Sequence, residues 1–328
     1  MTRRPPERER GAALLAVLLL VAVTGAIAAS MVEDLRLSRT ISVNATARDQ
    51  GRLFADGVEQ LALLTIDDRI QQSPERTTLA GDWNGATRTF RLPDDAIADV
   101  TVRDGGNCFN LNSVADGRPG LPLIRRPSGV AQFMGLMLAL GVREADARRI
   151  AEAAADWVDA DNVAGPGGAE DEAYAGGPTP YRTGNTLFAD PGEARALAGM
   201  TPEIYARIAP WLCTPPTSDL SPLNINTLAV EQAPLLAMLA PGQLGVERAR
   251  QVLAQRPSGG WNNQVEFWRQ NAMSGLNVPL DVQVQPQLKT GWFTLEVRVR
   301  LMGSEYRETV LVDARLQPSR VVQRRWSG

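Results

Sequence analysis

A run of 22 residues from Gly11 to Val32, GAALLAVLLLVAVTGAIAASMV, carries no charged side chain, and it limits the fold more than any other feature. As a helix rising 1.5 Å per residue it is about 33 Å long, enough to cross a hydrocarbon core of roughly 30 Å. It is longer than the apolar part of an ordinary secretory signal, typically about 7–15 residues. Ahead of it, Arg3, Arg4, Arg8 and Arg10 outnumber Glu7 and Glu9. A basic flank of this kind stays cytoplasmic, so the bulk of the chain is expected to be exported. An A-x-A-like site at Ala26-Ile27-Ala28 leaves a cleaved signal peptide as the alternative. Beyond Val32, the positions Leu35, Ile41, Ala45, Leu53, Val58, Leu61, Leu64 and Ile66 keep rough helical spacing between charges. This predicts one helix continuing to about Asp68.

The rest of the 328 residues contain no histidine, one lysine (Lys289) and two cysteines. Without histidine, no Ser-His-Asp or Cys-His catalytic group and no H-E-x-x-H zinc site can be assembled. A formal net charge of -3 argues against a phosphate-binding surface covering the whole protein. Strand-like alternation runs from about Thr87 to Arg103, and returns in DVQVQPQL, TGWFTLEVRVRLM, YRETVLVDARL and VVQRRW near the C-terminus. Gly303-Ser304 marks a hairpin between the second and third of these. From about Arg126 to Gly275 the pattern is helical and alanine-rich, which gives an α+β chain with a helical insert. Cys108 and Cys213 lie on either side of the start of that insert, and in an exported chain a disulfide between them is expected. Closing a loop of that size stabilises by about 4–5 kcal/mol in the chain-entropy model.

Between Glu152 and Tyr181 there are seven acids and no lysine or arginine. Asp156 and Trp157 end a helix with the apolar stripe Ala147, Ile150, Ala154 and Trp157, and a Gly/Pro-rich loop follows. A tight loop that gathers carboxylates repels itself unless a cation sits among them. Hard oxygens without His or Cys select Ca²⁺ or Mg²⁺, and a flexible set favours Ca²⁺. With Asp159 as position 1 of an EF-hand, Asp161 falls at 3 and Glu170 at 12, but Val163 and Ala164 break the motif at positions 5 and 6. On these residues alone, a solvated acidic loop is the alternative to a metal site.

A second motif lies further on. LNINT (Leu223 to Thr227), the Pro241-Gly242 turn, and Val252 and Leu253 on a following helix resemble a helix-hairpin-helix, or SAM-like, module. DNA-binding versions hold phosphate on the hairpin amides with basic help nearby. Here four arginines face three glutamates from Pro222 to Gly275, and Gln243 and Leu244 in the hairpin are not basic. Nucleic-acid binding is therefore not expected, although a membrane-tethered DNA-uptake protein is the rival function.

The junction Glu9-Arg10-Gly11, followed directly by apolar sequence, resembles the class III leader of type IV pilins and type II secretion pseudopilins. The resemblance implies cleavage by a prepilin peptidase between Gly11 and Ala12, with Ala12 as the mature, methylated N-terminus. Most of that family carry glutamate at mature position five, where this chain has Ala16. An unpaired carboxylate at that depth in lipid is costly. In the family it pairs with the amine of the next subunit, so its loss implies a subunit at the tip. The acidic loop completes the likeness: Asp156, Trp157, Asp159, Asp161, Gly168 to Asp171, Tyr174, Pro180, Tyr181 and Asn185 match the pattern of the minor pseudopilin K family.

That resemblance implies the architecture as well. A pilin-like N-terminal helix packs on a small antiparallel sheet, interrupted by a large all-α insert of two SAM-like modules. The expected divisions are leader 1–11, helix 12–72 with its membrane span at 12–32, head 73–125 and 276–328, first module 126–221 with the calcium loop, and second module 222–275. The implied ligands of a structural calcium ion are Asp159, Asp161, Glu170 and Asp171, with Asp156 and Asn185 supporting or alternative. The implied function is non-enzymatic: priming the pseudopilus tip for protein export. The implied partners are the minor pseudopilins I and J, other pseudopilins, the prepilin peptidase and the inner-membrane secretion platform, with the head in the periplasm.

Overall fold

The computed structural model describes residues 7–117, 121–176 and 179–326, so the first six residues of the expected leader lie outside it. Helix α1 (Glu7–Gln72) runs unbroken for 66 residues. It contains no proline, and it stops two residues before Pro74, where a helix can no longer continue. Every residue from Gly11 to Thr46 is exposed. Among the described residues, α1 is the one helix long and apolar enough to cross a membrane, with a window of mean hydropathy 2.6. This is the arrangement of a single-pass anchor.

From Ala47 onward α1 lies on a five-stranded antiparallel sheet. In spatial order the strands are β1 (Thr87–Arg91), β2 (Ile97–Asp104), β7 (Trp292–Leu301), β8 (Ser304–Asp313) and β9 (Arg320–Trp326). The residues facing the sheet are Ala47, Ala55, Val58, Ala62, Ile66 and Ile70, mostly small. All but Ala47 meet Trp83, Phe293, Leu295, Val297, Val310 and Val312 in one core. Small side chains let the helix axis approach the strands closely, and the bulky ones point elsewhere. Leu53, Leu61 and Leu64 are 68%, 54% and 62% exposed, so three of the five spaced apolar positions from Leu53 to Ile66 belong to a face that no described residue covers.

The β7–β8 hairpin pairs Leu301 with Ser304. Its turn residues are Met302 and Gly303, one position earlier than Gly303-Ser304, and both have positive φ, 49° and 78°. Two-residue hairpins of the favoured twist need positive φ at both central positions, which Gly303 supplies without strain. DVQVQPQL departs from its expectation as a strand. It forms the short helix α9 (Leu280–Gln283) and a loop, with Val282 buried and Val284 exposed. Pro279 starts the helix, and Pro286 has no N–H to donate to a ladder.

The insert leaves and returns between neighbouring strands, since Asp104 at the end of β2 pairs with Phe293 at the start of β7. Strands β3 (Phe109–Asn110) and β6 (Leu212–Cys213) pair in parallel beside the Cys108–Cys213 disulfide, whose Cα atoms are 5.9 Å apart. A single-turn 3₁₀ helix (Leu111–Val114) follows, and then β4 (Ala115–Asp116) pairs with β5 (Ile124–Arg125). The helices are α2 (Pro127–Ala139), α3 (Glu144–Val158), α4 (Asp171–Ala175), α5 (Pro202–Ile208), α6 (Ala233–Ala237), α7 (Val246–Ala254) and α8 (Gln264–Trp268). One continuous core joins them through Phe133, Leu136, Ile150, Phe188, Leu236 and Trp261. Phe109, Leu111 and Val114 before α2, and Val278 and Val282 after α8, belong to this core rather than to that of the sheet.

Candidate metal centre

Helix α3 buries Ala147, Ile150, Ala154 and Trp157 on one side, which turns its last turn and the following loop toward α4. Asp156, 1% exposed in that last turn, is already engaged: it accepts from the backbone N–H of Ala169 (2.7 Å) and of Gly165 (3.1 Å). It thereby folds the loop back on the helix end. A Cβ at Gly168 would lie 1.9 Å from Asp156 Oδ2, so only glycine fits there. Asp159 is the residue immediately after α3, with its N–H donating to Ala155 O.

This folding brings oxygens of Asp159, Asp161 and Glu170 all within 4.8 Å of one another. Asp159 and Glu170 are buried, and Asp161 is exposed. Asp161 Oδ1 also accepts from the Val163 N–H (2.8 Å), and Glu170 Oε2 from the Thr183 hydroxyl (3.3 Å). Asp159 Oδ1 and Glu170 Oε1 are buried without a hydrogen-bond partner. Two orphaned acceptors on adjacent carboxylates are what a cation would satisfy. Oxygens bound to one Ca²⁺ at about 2.3–2.6 Å lie at most about 5 Å apart, so the spacing fits.

Asp171 is held by Thr183. Its Oδ1 accepts from the N–H and hydroxyl of Thr183, both at 3.0 Å, and it lies outside the three-carboxylate group. Asn185 supports the wall, with its N–H on Trp157 O (3.0 Å) and its amide near Asn162 Oδ1 (3.4 Å). Thr183, which ties Glu170 to Asp171, has no sequence signal that would have singled it out. Around the group stand Trp157, Tyr174, Tyr181 and Phe188, with Trp157 edge-on to Tyr174 at 5.8 Å and parallel to Phe188 at 6.1 Å.

The electrostatics agree with the geometry. Burial first, then the charges of Asp161 and Asp156, push Asp159 up to about 6. Burial, then Asp156 and Asp159, push Glu170 up to about 7. Burial also raises Asp156 against the hydrogen bonds from Gly165 and Ala169. Arg125, which is ion-paired with Glu152, lowers both Asp156 and Asp159, but one guanidinium does not offset this many carboxylates. A divalent ion would reverse the penalty.

The remaining candidate sites lie elsewhere. Gly11, Ala12 and Ala16 are on the exposed part of α1. In the helix-hairpin-helix region LNINT is wholly buried, from Leu223 to Thr227. Three of the four arginines there are used internally: Arg248 on Gln243 O and Ala272 O, Arg250 on Glu247, and Arg256 on Ile225 O and Leu228 O. Little charge is left to meet a phosphate backbone.

Two family models described as "Type II secretion system (T2SS), protein K" match residues 107–217 and 223–290. Type II secretion system protein K of Pectobacterium carotovorum is 31% identical over 98% of this chain and 97% of that protein. Its counterpart in Aeromonas hydrophila is 34% identical over 84% of this chain and 86% of that protein. Among solved structures, a chain of the crystal structure of the GspK-GspI-GspJ complex from enterotoxigenic Escherichia coli superposes with a TM-score of 0.73. It is 27% identical and covers 85% of this chain and 96% of its own. With a similar relative covered almost end to end, an apolar anchor helix, a sheet head and a helical insert, this chain belongs to the type II secretion system protein K family.

Proposed function

We propose that this protein is the membrane-anchored tip subunit of a type II secretion pseudopilus, with its head in the periplasm and a structural calcium ion in the α3–α4 loop. It acts by assembly rather than by catalysis. The observation that carries the reading is α1 itself. From Gly11 to Thr46 no described residue covers it, and its apolar side chains continue past the membrane length through Leu35, Leu37 and Ile41. An apolar helix surface of that length in water requires partners. Ala12, Ala13 and Ala16 permit close helix approach in lipid. Ala16, where a carboxylate would otherwise seek a neighbour's amine, fits a subunit with none ahead of it.

The likeness to a chain solved in the GspK-GspI-GspJ complex supports the minor pseudopilins I and J of the same system as partners. Co-expression of the full-length protein with its own I and J subunits, followed by purification in detergent, tests this. A stable ternary complex is expected, and a chain that elutes alone would contradict it. The calcium reading rests on the two orphaned carboxylate oxygens and the all-oxygen donor set. In this reading Asp159, Asp161 and Glu170 hold the ion, and Asp156 shapes the loop beneath it.

A further inference from the structure

Two short segments of the chain repeat each other, Asn110-Leu111-Asn112-Ser113 and Asn224-Ile225-Asn226-Thr227, and the structure uses them in the same way. In each, the first asparagine's Oδ1 accepts from the backbone N–H of the second, at 3.0 Å for Asn110 and 2.9 Å for Asn224. The hydroxyl at the fourth position sits by the first carbonyl: Ser113 donates to it at 2.6 Å, while Thr227, 3.2 Å from it, has Asp104 Oδ2 as its closer acceptor at 2.5 Å. The second asparagine then grips both backbone groups of one distant aromatic residue. Asn112 accepts from Phe188 N–H (2.6 Å) and donates to Phe188 O (3.1 Å). Asn226 accepts from Trp261 N–H (2.7 Å) and donates to Trp261 O (3.1 Å). A carboxamide that takes the N–H and C=O of one residue fixes that backbone as a neighbouring strand would. All four asparagines are buried.

The two grips differ in what lies beyond them. Phe188 is stacked on Trp157, two residues before Asp159. It also closes the segment 183–188, whose first residue Thr183 bonds Glu170 and whose Asn185 bonds Trp157 O. Asn112 donates as well to Pro215 O (2.9 Å), two residues past the disulfide-bonded Cys213. One buried carboxamide therefore ties the segment just past the disulfide to Phe188, which stacks on Trp157 at the end of α3. Trp261 packs on Phe267, in the other module.

We infer that Asn112 is a positioning residue of the calcium loop, acting through Phe188, Trp157 and Thr183 without touching an ion ligand. This rests on the calcium reading above. Removing groups that orient metal ligands from outside typically costs about 10–100-fold in affinity, and the same range is expected here. Asn226 makes the same bonds on a residue remote from the loop, so it separates positioning from general support.

The test is calorimetric titration of CaCl₂ into the detergent-solubilised full chain, with thermal melting in chelator, for the wild type, Asn112→Asp and Asn226→Asp. Aspartate keeps the acceptor and deletes the donor at nearly constant shape. Both variants should lose melting temperature in chelator. Asn112→Asp should bind calcium about 10–100-fold more weakly, while Asn226→Asp binds as the wild type does. Wild-type affinity in Asn112→Asp, or equal weakening in both variants, would overturn the inference. A wild type that binds no calcium would instead overturn the calcium reading, and the inference with it. If Asn112→Asp does not fold, Phe188→Leu decides, because it keeps the backbone grip but removes the stack on Trp157. Weaker binding supports the inference, and unchanged binding overturns it.

Discussion

Asp159 and Glu170 are two buried carboxylates raised toward neutrality first by burial and then by the aspartates around them, each with an oxygen that bonds nothing. Calcium at about 100 times its Kd would add about 2.7 kcal/mol of stability. At about 2–4 °C per kcal/mol for a domain of this size, chelation should lower the melting temperature by about 5–10 °C. Asp159→Asn should abolish that calcium response, yet melt no lower than the wild type in chelator, because it removes an uncompensated charge. Paired melting curves with calcium and with chelator check both halves. A second residue behaves similarly without any metal. Glu308 is 2% exposed, accepts from Tyr306 OH (3.1 Å), and has its other oxygen unpaired. Burial first, then Glu59 and Asp56, hold its carboxyl above the usual range, although the bond from Tyr306 and the charge of Arg324 oppose the shift. A raised folded-state acid destabilises progressively as pH climbs from the ordinary carboxylate value through the raised one. Glu308→Gln should therefore melt like the wild type near pH 4 and higher than it near pH 8. Melting curves across that range test the sign. Spacing made Asp159, Asp161 and Glu170 legible in the sequence. Asp171, expected beside them, begins α4 and bonds Thr183, a partner that no spacing in the sequence points to.

At the scale of elements, what the sequence conceals is direction. The period of α1 is plain, but the face that packs is the one with alanines at 47, 55 and 62, while Leu53, Leu61 and Leu64 point away. Hydrophobicity alone ranks those faces the wrong way round, because close approach to a sheet needs small side chains rather than large ones. Ala55→Leu should therefore destabilise the head by about 1–3 kcal/mol through overpacking, measured by chemical denaturation. An ion pair between a buried carboxylate and an exposed arginine fixes the same element sideways: Glu59 on α1 accepts from both Nε (2.8 Å) and Nη2 (2.7 Å) of Arg324 on β9. The hairpin and the long strands are legible because alternation and Gly303 act locally. DVQVQPQL alternates equally well, but Pro279 starts a helix just ahead of it and Pro286 has no N–H for a ladder, so only Gln287 makes a bridge, to Asn224. The module clamps at Asn112 and Asn226 are invisible to any local pattern, since their partners lie 76 and 35 residues away.

Seen whole, the molecule is a membrane helix that carries a sheet, and the sheet carries a helical body grafted between two adjacent strands. Gly105 N–H donates to Trp292 O where the graft begins and ends, so the sheet closes as though the insert were absent. Asn224 spans that seam, with its N–H on Asn107 Oδ1 (2.9 Å) and its amide on Thr77 O (3.1 Å) and Thr290 Oγ1 (2.9 Å). This ties both chain crossings to the loop after α1. A bulky body fixed to the far end of one anchor helix suits a position with nothing stacked above it, and in the proposed function Ala16 fits that position from the membrane side. Processing of the N-terminus decides whether the protein can assemble through α1, because a pilin-type cut keeps the helix on the mature protein and a signal-peptidase cut removes most of its membrane span. Mass spectrometry of the N-terminal peptide from the full-length protein expressed in its own host decides this. A mature chain that begins at Ala12 with the apolar helix retained is the predicted result, and one that begins beyond Ala28 would contradict the account.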